Sequence, residues 1–315
     1  MQYFSKTDIN FVGMRNRFAM ISIVLVVLGL AATFILKPVL GIDFKGGAEV
    51  AIAISGNPTI NNVRKAIDDA GIKGTEIKSF GESDQFLIRI MDVEEGPDRI
   101  NKALSAGFPS QTITLLKTDV IGPKIGAELF AEAIWAVLIA IVAILIYIAF
   151  RFEFNFGVGA IIALVHDVVV TFAMIVVVHH LGLVDLELNQ TILAGMLTVV
   201  GYSINDTVII FDRIRENKDK HKGMNFIKMI NMSLNETLSR TINTTATTIM
   251  VLLVLFIFGG PVLQGFAFTM FFGIVFGTYS SIYIASNFVI WRYEQSEKHV
   301  NETSRNGKKL ATAKG

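Results

Sequence analysis

The chain has 315 residues, of which 52% are apolar and only 17% charged. A soluble domain of this size carries about a quarter charged residues, so a soluble Rossmann or barrel enzyme is excluded. Its 28 basic and 27 acidic residues nearly cancel, which argues against nucleic acid as a partner. The absence of cysteine excludes disulfides, thiol catalysis and thiolate metal sites, and suits a segment exposed to an oxidising compartment.

The apolar residues gather in six runs, each long enough for a bilayer that takes about 20 residues per helical span. The first, 18–36, follows Arg15 and Arg17 as the core of a signal peptide would. Its length, and the lack of a small-x-small cleavage site after it, make it a retained anchor instead. Further spans are predicted at 130–150, 157–178, 188–211, 240–259 and 265–291. Basic residues crowd the N-terminus (Lys6, Arg15, Arg17), the loop 212–239 and the tail 292–315, whereas 179–187 and 260–264 hold no Lys or Arg. The positive-inside rule then puts both termini in the cytoplasm and the long insert 38–128 on the outer face.

Within the insert, Val50, Ile52 and Ile54 alternate as a strand, and Ile60, Val63 and Ile67 recur at helical spacing. A short strand through Ile77 follows, then an alternating one at Phe86, Ile88 and Ile90. Ile100, Ala103 and Leu104 mark a second helix, and 112–117 a last strand. The order β-α-β-β-α-β is that of a ferredoxin-like α+β sandwich. The expected fold is thus a polytopic α-helical membrane protein of six transmembrane helices, with one α+β domain between the first two. The tail is polar and without periodicity, which predicts disorder.

Several chemistries are missing or weak. There is no P-loop motif. Gly46-Gly47 reads as a turn into the first strand rather than a phosphate cradle. His179-His180 reads as a solvated interfacial pair, because the sequence places no third metal ligand beside it. An intramembrane aspartyl protease would need Asp167 and Asp206 to share a proton across a wet cleft, and neither sits in a motif built for that. No cofactor is expected.

The informative residues are polar groups inside the spans. Asp206, in GYSINDT (201–207), lies near the cytoplasmic end of the fourth span, where a carboxylate costs about 2.5–3.5 kcal/mol to insert and is functional by default. Arg240 opens the fifth span, with Asn243, Thr244, Thr247 and Thr248 on its face. A face-to-face Asp206–Arg240 pair is expected. Asp167, beside His166 in the third span, either extends the same path or is a structural hydrogen-bonding group. Asp206, Arg240, Asp167, Asn205 and Thr244 are the candidate ion-path residues. In the sixth span Thr269, Gly273, Gly277 and Ser281 repeat a small-x-x-x-small pattern, read as a helix-packing face.

These residues resemble the SecD/SecF family of the resistance-nodulation-division superfamily over nearly the whole chain, the tail beyond about 295 excepted. The resemblance is carried by 41–47, IGPKIGAEL (121–129), Arg151-Phe152-Glu153, His166-Asp167, GYSINDTVIIFDRIREN (201–217), LNETLSRTINTT (234–245) and 260–279. It implies an accessory subunit of Sec protein export in the bacterial inner membrane, with the outer domain in the periplasm. Such a subunit pairs with SecD, associates with the SecYEG channel and in many bacteria with YajC and YidC, and is no enzyme. It uses the proton-motive force to draw preproteins outward after the ATPase SecA has pushed them. The family's proton-path Asp and Arg fall on Asp206 and Arg240. The coupling ion is expected to be H+, with Na+ as the alternative. Two other readings stand beside this one: a small-molecule or lipid exporter subunit of the same superfamily, and a scaffold of the channel with no ion traffic.

Overall fold

The computed structural model describes residues 7–79 and 83–312; Lys6 and residues 313–315 of the tail lie outside that range. Helix α1 (Phe11–Leu36) and the short α2 (Ile42–Lys45) lead into β1 (Gly47–Ile54), α3 (Ile60–Asp69), β2 (Glu76–Ser79), β3 (Gln85–Ile90), α4 (Gly96–Gly107) and β4 (Ile113–Ile121). Then come α5 (Pro123–Arg151), α6 (Phe154–His180), α7 (Gln190–Lys220), α8 (Phe226–Phe258) and α9 (Gly260–Ser280). A π-helical segment, Ser281–Ala285, joins α9 to α10 (Ser286–Thr312).

The insert is the expected sandwich. Its sheet runs β2-β3-β1-β4 with every neighbouring pair antiparallel. Period-2 alternation sends Val50, Ile52, Ile54, Phe86, Ile88 and Ile90 to one face, where Val63, Ile67, Ile100 and Leu104 of α3 and α4 cover them. Thr59 caps α3, its hydroxyl accepting from the Asn62 N–H. The opposite face is polar around Glu49, which stands directly across from Arg89. Gly46 and Gly47, at φ 78° and 137°, make the turn into β1. A Cβ on Gly46 would fall 2.8 Å from Pro123 Cα, and one on Gly126 would fall 2.9 Å from Gly46 N. The two glycines let the domain's first turn lie backbone to backbone against the start of α5.

Among the described residues, six helical stretches are long and apolar enough to cross a membrane. The apolar windows of α6, α7 and the last stretch are about half buried, whereas those of α1, α5 and α8 are nearly bare. The middle of the bundle therefore lies among α6, α7 and α9, and its outer faces are left for lipid or protein.

Three helix boundaries differ from expectation. Segment 212–239 is helical apart from 221–225, because α7 continues to Lys220 and α8 already starts at Phe226, where the Asn225 side chain accepts from the Ile227 and Lys228 N–H groups. Arg240 is accordingly inside a helix rather than at its start. The sixth span is interrupted by the π-helical segment. The tail expected to be disordered is helical through Thr312: between Trp291 and Thr312 it holds no proline and one glycine, Gly307, and a helix already nucleated propagates without a new nucleus.

Candidate functional site

Polar side chains meet in the middle of the bundle, where α6, α7 and α9 cross. The approach is close because small residues face one another in matched steps of four. A Cβ on Gly195 would meet Thr269 at 3.1 Å, one on Gly273 would meet Val199 at 2.1 Å, and one on Gly277 would meet Ser203 at 3.3 Å. Gly273 and Gly277 thus lie where a packing face needs them. Ser281, four residues further on, is fully buried. It opens the π-helical segment and donates to the Thr278 carbonyl at 2.9 Å.

Asp167 is fully buried at this crossing. Its Oδ2 accepts from the hydroxyls of Ser203 on α7 at 2.5 Å and Ser280 on α9 at 2.7 Å, and its Oδ1 lies 2.9 Å from His166 Nδ1. Asp206 is 8% exposed, one turn along α7 from Ser203. Its Oδ2 accepts from Thr278 Oγ1 at 3.2 Å, and Thr278 Oγ1 lies 2.9 Å from Thr245 Oγ1 on α8. The hydroxyl chain is reversible. A carboxylate can only accept, so the hydrogens run Thr245 to Thr278 to Asp206; a protonated acid can donate and turn the chain around.

Arg240 does not meet Asp206 in an ion pair, as expected from the sequence. Asp206 turns inward to α9, while Arg240 is exposed, and among the described residues no carboxylate lies within 4 Å of its guanidinium. Asn205 and Thr244 are exposed too, as are Asn243 and Thr247. These five form an uncovered polar face on α7 and α8. Asp167 and Asp206 each have their own hydroxyl partners, unlike an aspartyl protease dyad.

Two residue groups escaped the sequence reading. Ser203, Ser280 and Thr278 bind the acids and Thr245 binds Thr278, but all four look like ordinary small residues in an apolar run; only their helical register with Asp167 and Asp206 could have flagged them. The second group lies where the sandwich meets the α6–α7 connection. Lys78 on β2 donates to Glu187 at 2.6 Å and Asp185 at 3.1 Å, and Arg89 on β3 donates to Glu49 at 2.5 Å and also to Glu187. Burial pulls the Lys78 ammonium down, but Glu187, Asp185 and Glu76 outweigh it and hold it above the usual lysine range. Gly41 and Leu188 add backbone hydrogen bonds, and the Asp43 carboxylate accepts from the Gln190 N–H at 2.9 Å. His179 is drawn into this cluster with Asp185 and Glu187, the three close enough to share an ion. Lys78 and Arg89 already neutralise those carboxylates, and His179 Nδ1 is taken by the Leu186 N–H at 3.2 Å. His180 turns away, its Nδ1 at 2.9 Å from the Val176 carbonyl.

A six-span bundle with a small α+β sandwich between the first two spans defines a multi-pass membrane protein. The family model for "Protein export membrane protein SecD/SecF, C-terminal" matches residues 101–295. The chain is 41% identical to the protein translocase subunit SecF of Rhodothermus marinus over 293 residues, 92% of this chain and 95% of that one. It is 40% identical to the same-named subunit of Thermodesulfovibrio yellowstonii over 296 residues, 92% and 96% of the two. Among solved structures it superposes on SecDF of Thermus thermophilus, a translocon-associated membrane protein, with a TM-score of 0.81 and 34% identity over 92% of this chain. It spans only 40% of that solved chain. The chain belongs to the SecD/SecF family, and along its length it matches the SecF subunits. It is a non-enzymatic accessory subunit of the Sec translocase.

Proposed function

We propose that the chain is the SecF half of a proton-driven unit that pairs with SecD in the bacterial inner membrane and promotes preprotein movement through SecYEG, with YajC and YidC as further neighbours. In this reading both termini are cytoplasmic, and the sandwich stands in the periplasm, where preprotein emerges and is released.

The observation that carries the proposal is Asp206. It is a buried carboxylate at a helix crossing, held by one reversible chain of hydroxyls, beside a polar face that lipid cannot satisfy. SecD covers that face and supplies the acid that Arg240 lacks here. A proton falling through 100 mV releases about 2.3 kcal/mol, enough to bias a two-state packing. Protonation reverses the Asp206–Thr278 bond. Thr278 lies three residues before the π-helical segment, and Ser280 holds Asp167 from the same stretch. Loading the acids therefore alters the grip on α9 next to a register break, a structure that favours discrete rearrangement. The contacts of α2 and β2–β3 with α5 and the α6–α7 connection carry the change to the sandwich.

Export of a secreted reporter in cells depleted of the native homologue, comparing wild type with Asp206→Asn at matched membrane levels, tests this reading. Collapse of export supports ion coupling, and repeating it with a sodium gradient identifies the ion. Full rescue by Asp206→Asn would leave the acid structural and make the chain a scaffold.

A further inference from the structure

Among the described residues, His166 is a buried titratable group of the helix bundle that the proposal above leaves unused. It is 5% exposed, and its Nδ1 lies 2.9 Å from Asp167 Oδ1. A carboxylate can only accept, so Nδ1 carries the hydrogen, and Nε2 of the neutral ring is a bare lone pair. Nε2 is buried and has no hydrogen-bond partner. Tyr279, whose ring centre is 6.1 Å away, does not serve it: its hydroxyl donates to the Phe18 carbonyl at 2.6 Å and lies 2.7 Å from Ser22 Oγ.

His166 also lines a groove of about 770 Å³ bounded by α1, α6, the π-helical segment and α10. One end of this groove is apolar, between Ile23 and Val169; the other ends at Arg15, Asn16 and Glu294. A second cleft of similar volume, lined by Asp8, Asn231, Asn235 and Glu236, shares those same three residues. The Arg15–Glu294 ion pair, at 2.6 Å, therefore stands between the two. On the orientation proposed above, the second cleft opens to the cytoplasm. Gly29 packs against Ala173, so α1 and α6 run side by side in register and His166 sits level with Ser22. That is about 10 Å deeper than Arg15 at 1.5 Å per residue.

We propose that His166 relays protons between this cytoplasmic groove and Asp167. Nε2, closed off in this state, takes a proton from groove water once the side chains over it part, while Nδ1 gives its own to Asp167 Oδ1. The ring is left neutral in its other tautomer, and the reverse transfer or a ring flip resets it. The charged and titratable groups facing the relay are Asp167 beside it, Arg15 on α1, Tyr279 on α9, Tyr283 in the π-helical segment, and Glu294 and Lys298 on α10. The inference rests on the proton-driven reading and assigns that reading a second, cytoplasm-facing branch, separate from Asp206.

The test uses inverted vesicles holding the chain with SecD and the channel, in which completion of preprotein transport is driven by an imposed proton gradient. His166→Ala, at wild-type level and still co-purifying with SecD, is expected to lose about ten-fold or more of the gradient-driven component. Added imidazole restores it, because it offers both nitrogens in the vacated space. Pyrazole, of nearly the same shape but a far weaker base, does not. Should His166→Ala fail to assemble, His166→Gln replaces it, since an amide can hydrogen-bond Asp167 but cannot relay. Because the chain has no cysteine, Val165→Cys in the groove is a clean probe: a charged thiol reagent added from the cytoplasmic side labels it if water reaches that depth. Gradient-driven transport unchanged in an assembled His166 variant, equal rescue by pyrazole, or an unlabelled Val165→Cys overturns the relay. If Asp206→Asn also keeps full gradient dependence, the proton-driven reading falls and takes the relay with it.

Discussion

Gly273 on α9 and Val199 on α7 meet so closely that a Cβ on the glycine would fall 2.1 Å from a Val199 methyl. The contact sets the distance between two helices that share a hydrogen bond between one and two turns further on, Thr278 to Asp206. Gly273→Ala must therefore push α9 away or force Val199 off its rotamer, at a cost of about 1–3 kcal/mol. The expected outcome is a lower midpoint of thermal unfolding for the purified complex. Adding Val199→Ala in the same chain should recover part of the loss, since residues in contact do not act additively. No recovery would mean that the helices are not held at this point.

Asp167 anchors three side chains from three helical positions: His166, Ser203 and Ser280. Asp167→Ala leaves Ser280 only the Gly277 carbonyl and strands His166 Nδ1 and Ser203 Oγ in the interior, where each unpaired polar group costs about 1–3 kcal/mol. Asp167→Asn keeps an acceptor oxygen and should cost less. Unfolding of the two variants in detergent, followed by loss of helical circular dichroism, should rank Ala well below Asn. The reverse order would show that the hydroxyls find other partners.

Much of this architecture was legible in the sequence, for definable reasons. Spans declare themselves by sheer apolar length, and the sandwich by a switch between period 2 and period 3.6 at Val50, Val63 and Phe86. Asp206 and Arg240 stand out because charge in a span is costly. Side-chain direction was not legible: both residues belong to the same end of neighbouring helices, yet one turns to α9 and the other faces outward. Nor was the grip of Lys78 and Arg89 on Glu187, whose partners lie about a hundred residues apart in the chain. Contacts of that kind leave no local period. The π-helical segment was hidden because Ser281–Ala285 has the composition of any apolar helical stretch.

The Glu187 cluster fastens the sandwich to the α6–α7 connection. Glu187→Gln removes a 6% exposed carboxylate from two cations, although Arg89 keeps Glu49. The expected loss is about 1–2 kcal/mol of docking once the solvent screening of Lys78 is allowed for. Limited proteolysis of the connection around Gly182 should quicken in this variant and not in Arg99→Gln, on the far side of the domain. The pH dependence has a definite sign. Lys78 is held above its ordinary value, so its contribution is complete below the unfolded value of about 10.4 and is lost only as pH rises through the folded one. The same cleavage rate should stay flat from neutral to mildly alkaline pH and rise only in strong alkali. A rise already at pH 8 would place the weak point elsewhere.

Arg240 offers the sharpest separation between charge and geometry. It is exposed on α8, with no carboxylate of the described residues in reach, beside Asn243, Thr244 and Thr247. If SecD supplies an acid there, Arg240→Ala leaves that acid buried and unpaired at the interface, and such truncations cost about 2–5 kcal/mol. Co-purification with SecD should then weaken along with export. Arg240→Lys keeps the charge but not the planar fork that holds a carboxylate by two bonds. Restored co-purification without restored export in the lysine variant would mean that assembly needs only the charge and ion coupling needs the fork. Full activity of Arg240→Ala would remove Arg240 from the path altogether, leaving Asp206 to work with the hydroxyls of Thr278 and Thr245 alone.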